Sequence, residues 1–68
     1  MLNTDKVRGR MAERRITQQD VASALGLAPA TVSQKLNRVR PMNLDEAEKL
    51  ATLLSISDAE FGEFFFAR

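Results

Sequence analysis

Sixty-eight residues bound the chain to one domain, 1–68, and a chain this short buries only about 60% of its unfolded surface, so its core must be simple. With 44% hydrophobic and 28% charged residues and a net charge of +1, the composition is that of a globular domain; no apolar run exceeds Phe64–Ala67, which excludes a membrane span and a signal peptide and makes the cytoplasm the expected location. The absence of Cys and His removes disulfides, thiolate chemistry and the commonest general base and metal ligand, so no enzyme activity, cofactor or metal is expected.

The first helix is predicted to begin after Asn3 or Thr4 and to run to about Arg15, with Val7, Met11 and Ala12 as its inward stripe. Thr17 followed three residues later by Asp20 is a capping-box pattern for a second helix, which buries Val21, Ala22 and Leu25. Gly26 then sits where a left-handed residue would stop it. Pro29 suits the first position of a third helix, which extends to about Asn37. After the break at Arg40-Pro41, Asn43 and Glu46 open a fourth helix through Leu54, with Leu44, Ala47, Leu50, Ala51 and Leu54 at helical spacing. Ser57 and Glu60 cap a fifth helix from Asp58 to about Ala67. Beyond Gly62 the aromatic run Phe64, Phe65, Phe66 leaves a short strand as the alternative, since aromatics favour sheets. The expected fold class is all-α, a compact five-helix bundle.

The charges are unevenly spread. Residues 1–40 carry eight cations against three carboxylates, a net +5, whereas residues 41–68 carry two cations against six carboxylates, a net −4. No Asp or Glu lies between Val21 and Leu44, a stretch that holds Lys35, Arg38 and Arg40. A helix pair offering only small polar groups and cations is shaped to approach a polyanion, and duplex DNA has the matching curvature.

The spacing Gln18, Ala22, Gly26, Val32 resembles the helix-turn-helix of the lambda-repressor-like family, the Cro/Xre-type DNA-binding proteins. Its physical logic holds residue by residue: Ala22 is small where the two motif helices cross, Gly26 supplies the positive φ of the turn, and Val21, Leu25 and Val32 plug the pair onto the other helices. The resemblance covers nearly the whole chain. It implies a helix-turn-helix at helices 2 and 3 and a transcriptional regulator of double-stranded DNA, of the phage Cro or compact repressor kind, because 68 residues leave no room for a separate effector domain. The chain departs from the family pattern at Lys35, where an apolar residue is usual, and at Arg38, near which glycine is usual. Leu36 can serve as the inner anchor instead, with the Lys35 stem along the helix flank and its ammonium reaching outward.

With Val32 and Leu36 inward, a step of about 100° per residue directs Ala30, Ser33, Gln34 and Asn37 outward and Thr31 and Lys35 to the shoulders. The expected base-reading set is Pro29, Ala30, Ser33, Gln34 and Asn37. Gln34 leads it, because its carboxamide can pair bidentately with adenine N6 and N7. Phosphate contacts are expected from Gln18, Thr31, Lys35, Arg38 and Arg40, with Arg10 and Arg14 added from the first helix; Arg8 and Arg15 read as solubilising charges. Ala28, the N-cap of the third helix, has no side-chain acceptor for the first amides, so a phosphate or water must meet them. About five neutralised phosphates per subunit would give a salt slope of about −4 to −5.

One short helix reads only a few base pairs, so a homodimer on two half-sites is expected. On the fifth helix Phe61, Phe64 and Phe65 share a face, whereas Phe66 is turned about 100° further, making Phe65 and Phe66 the candidate dimer contacts. The alternative is that Phe66 closes the edge of the core or frays. Two other functions fit the same helices: an antitoxin-type regulator, which would want a long toxin-wrapping tail, and a protein-interaction module using the Phe-rich end.

Overall fold

The computed structural model describes residues 1–66. Their backbone forms α1 (Thr4–Glu13), α2 (Gln18–Leu25), α3 (Pro29–Leu36), α4 (Leu44–Leu53) and α5 (Asp58–Phe65), with no strand among the described residues. None of these helices is long and apolar enough to cross a membrane. The aromatic stretch after Gly62 is therefore helical, not extended. Ser57 and Glu60 cap that helix, and its turn lets the neighbouring Phe64 and Phe65 both face the core, where successive residues of a strand would point to opposite faces. Phe66 is the C-cap of α5, and the end expected at Ala67 lies outside the described residues.

Every helix but α3 begins on a side-chain cap. Asn3 accepts from the Lys6 amide, and Thr17/Asp20, Asn43/Glu46 and Ser57/Glu60 form reciprocal capping boxes. The first four helices all end in one way. Arg15, Gly26, Arg38 and Ser55 take left-handed φ of 55–69°, and the amide that follows each reaches back five residues to a helical carbonyl: Ile16 to Met11, Leu27 to Ala22, Val39 to Gln34, Ile56 to Ala51. These are Schellman closures. Only one of the four carries the glycine that would advertise it in sequence.

The core draws on all five helices. Val7, Val21, Val32, Leu36, Leu50 and Leu54 are fully buried, and Met11, Ala22, Leu25, Ala47, Ala51, Phe64 and Phe65 surround them. Two expected core residues are displaced. Ala12 is exposed, because the α1 stripe is only Val7 and Met11 wide and Leu2 from the N-terminal arm closes its edge. Leu44 is exposed because it occupies the first turn of α4, ahead of the stripe Ala47, Leu50, Ala51 and Leu54. The Asn3 amide donates to the Phe64 carbonyl at 2.7 Å, tying the N-terminal arm to the end of α5.

Candidate nucleic-acid interface

α2 and α3 meet through the turn at Gly26, and α3 is fixed in rotation by Val32 and Leu36, both sealed in the core. The opposite face is open. Pro29, Ala30, Gln34 and Asn37 are exposed, while Ser33 and Thr31 are half-buried on its flanks. Gln34 has no intramolecular partner for its carboxamide among the described residues; only its backbone carbonyl is used, accepting from Val39 at 2.8 Å and Arg40 at 3.3 Å. Both ends of that amide are thus available to a ligand. At the N-terminus of α3, Ala28 supplies no side-chain cap, which leaves the first amides and the positive end of the helix dipole facing out.

Three contacts from other elements hold the far end of α3. The Thr4 hydroxyl donates to the Leu36 carbonyl at 2.6 Å. Lys35 donates to Glu46 at 2.6 Å and to the Pro41 carbonyl at 3.3 Å, and the two charged side chains are only 13% and 11% exposed. The expectation that Lys35 reaches outward toward phosphate is therefore corrected. A carboxylate on α4 lies within reach of its ammonium, and a half-buried charge is held by the partner that compensates it. Burial pushes the Glu46 carboxyl up, but the Lys35 hydrogen bond, the Asn43 amide and the Lys35 charge outweigh it, so its pKa lies below the ordinary value. Glu46 caps α4 and pins α3 with the same carboxylate.

Arg10 is corrected in the same way. Its guanidinium donates to Glu60 at 2.8 Å and to the carbonyls of Leu54 and Ser55 at 3.3 and 3.2 Å, lies 5.1 Å from the Phe64 ring centroid, and is 14% exposed. It bolts α1 to the α4–α5 corner, where its donors are already satisfied. The amide of Ser57, followed by Arg10 and the Ser57 hydroxyl, holds the Glu60 carboxyl below the ordinary range. Of the remaining expected phosphate contacts, Gln18 is half-buried in the first turn of α2, and Arg14, Arg38 and Arg40 are exposed. Arg38 donates to the Met1 thioether at 2.9 Å and holds the left-handed position where the family pattern favours glycine.

Arg8, expected to be a solubilising charge, is engaged instead. Its Nη2 donates to Asn37 Oδ1 at 2.8 Å, bringing α1 to the rim of the α3 face. The two residues are 29 apart in the chain, and no local pattern couples them.

Phe65 is corrected as a dimer contact. It is buried in the core beside Phe64, with its ring 4.6 Å from that of Phe61, and contributes only to the lining of a groove, whereas Phe66 is 63% exposed. The exposed large hydrophobic residues, Met1, Val39, Leu44 and Phe66, all line one groove of about 480 Å³ between the α3–α4 loop and the end of α5. Arg38 and Arg40 contribute to its lining, and no Asp or Glu does so among the described residues.

A short exposed helix, wedged by a preceding helix and a positive-φ turn and backed by three others, is the architecture of a helix-turn-helix DNA-binding domain. Residues 6–66 match the family model of the Cro/C1-type HTH DNA-binding domain, and the chain belongs to that family. No curated protein matches the chain.

Proposed function

We propose that this protein is a sequence-specific transcriptional regulator, without enzymatic activity, that acts in the cytoplasm as a compact Cro-like repressor. α3 enters the major groove and Gln34 reads a base edge, with Pro29 and Ala30 against thymine methyls and Ser33 and Asn37 beside them. The observation that carries this reading is an exposed Gln34 with an unengaged carboxamide on a helix whose rotation Val32 and Leu36 fix. Gln18, Thr31, Arg14, Arg38, Arg40 and the open end of α3 supply the backbone contacts. With Lys35 and Arg10 committed internally, about three cations per subunit remain, giving a salt slope of about −3 that doubles for a dimer.

The operator is read by two copies. A groove that gathers the exposed large hydrophobics, with Phe66 projecting at its edge, supports self-association, because apolar side chains collected in one concave place suit a protein partner better than water. Selection of sites from a random duplex pool, followed by titration of the winner in rising salt, tests the proposal. A palindromic consensus with a slope near the dimer value is expected; no consensus and no salt response would overturn it.

A further inference from the structure

Asn37 ends α3 as its C-cap and is exposed one turn beyond Gln34, on the same outward strip. Both ends of its carboxamide are engaged. Oδ1 accepts from Arg8 Nη2 at 2.8 Å, and Nδ2 donates to Ser33 Oγ at 3.4 Å. The two neighbours constrain the amide unequally. A hydroxyl is donor or acceptor by rotation, so Ser33 tolerates either orientation. A guanidinium has donors only, so turning the amide over would set Nδ2–H against N–H of Arg8 with no acceptor between them. Arg8 alone therefore dictates that oxygen faces α1 and nitrogen faces the α3 strip.

We infer that Arg8, a residue of α1 outside the helix-turn-helix, is a positioning residue for specificity: it orients Asn37 so that the pair offers donors to the DNA and selects an acceptor-rich base edge, guanine above all. The inference rests on the proposed major-groove reading and names what one position of that site accepts. A free Asn favours adenine, accepting from N6 while donating to N7. Here the Asn37 oxygen already carries a donor, and the guanidinium beside it presents further N–H groups and a positive charge to an incoming N6 amine. Guanine, with O6 and N7 both acceptors, meets the remaining Nδ2–H without conflict. Gln34, which has no such neighbour, keeps its freedom to take adenine.

The test is site selection from a random duplex pool with the wild-type chain, Asn37→Ala, Arg8→Met and Arg8→Lys, each first checked for an unchanged helical circular dichroism spectrum. Arg8→Met keeps the aliphatic stem and removes the donors; Arg8→Lys keeps one donor for Asn37 Oδ1. The expected result is a guanine in each half-site that Asn37→Ala makes indifferent. Arg8→Met should lower its preference over adenine by about fivefold or more while leaving the Gln34 position alone, and Arg8→Lys should retain much of it. Adenine at that position in the wild type, or an Arg8→Met chain that binds all duplexes more weakly with its guanine preference intact, overturns the inference while leaving the major-groove reading in place. A wild-type chain that selects no consensus removes both.

Discussion

The cations of this chain divide into those that hold the protein together and those left to meet a polyanion, and contacts rather than charge decide which is which. Lys35 lies on the shoulder of the exposed helix, yet its ammonium turns into the fold because Glu46 is 2.6 Å away. Lys35→Ala leaves the buried Glu46 carboxylate without its counter-charge, with only the Asn43 amide as partner, and should cost about 1–3 kcal/mol in urea unfolding at unchanged m-value, because a buried charge that loses its partner regains no hydration. Combining Lys35→Met with Glu46→Gln should recover most of that loss by removing both charges together. The salt slope of DNA binding separates the two kinds of cation. Arg38→Ala should weaken cognate and random duplexes alike and lower the slope by about one, whereas Lys35→Met should leave the slope where it was. Gln34→Ala is expected to cost about 1–3 kcal/mol on the cognate site and little on random DNA; equal losses on both would remove it as a base reader.

At the scale of the element, the recurrent device is the left-handed closure of four successive helices. A non-glycine residue there carries a steric cost of about 1–2 kcal/mol, partly offset because glycine has more freedom to lose on folding. Arg15 has φ 55° and an exposed side chain, so Arg15→Gly should raise stability by about 0.5–1 kcal/mol, seen as a higher Tm; a lower Tm would mean that its side chain contributes contacts beyond the backbone turn. Arg38→Gly makes a different experiment of the same geometry. It relaxes φ 62° at the exit of α3 and removes a proposed phosphate contact, so stability should rise while affinity for every duplex falls. Such a split would show that arginine is kept at that turn for its charge.

Across the whole molecule, two carboxylates link separate parts of the bundle and both titrate below the ordinary glutamate range: Glu46 between α4 and α3, Glu60 between α5 and α1. A folded pKa below the unfolded one contributes stability that is present above the unfolded value and lost as pH falls through the folded value. Unfolding free energy should therefore decline below about pH 4.3, and Glu46→Gln should make that decline shallower while lowering stability at pH 7. Association is the other molecular property. Phe66→Asp puts a charge at the edge of the apolar groove and should shift the sedimenting species toward monomer; identical sedimentation of variant and wild type over a wide concentration range would retire the groove as the place where two copies meet.

Local chemistry determined most of the fold. Capping boxes, Pro29 at a helix start, Gly26 at a turn and the helical spacing of Val, Leu and Ala act over three or four residues, and the five helices follow them closely. The same local rule turns Val32 and Leu36 inward and Gln34 outward, which is why the exposed face of α3 was legible. What only the tertiary structure decided is the fate of groups that a helical pattern leaves at the surface. Lys35 and Arg10 look free along the chain and are bound in the fold; Phe65 looks available and is core; Arg8 looks idle and touches Asn37. The physical reason is range: caps and turns are satisfied by near neighbours, whereas a long cationic side chain is satisfied by whichever carboxylate or carbonyl the packing of distant helices brings within about 3 Å of it.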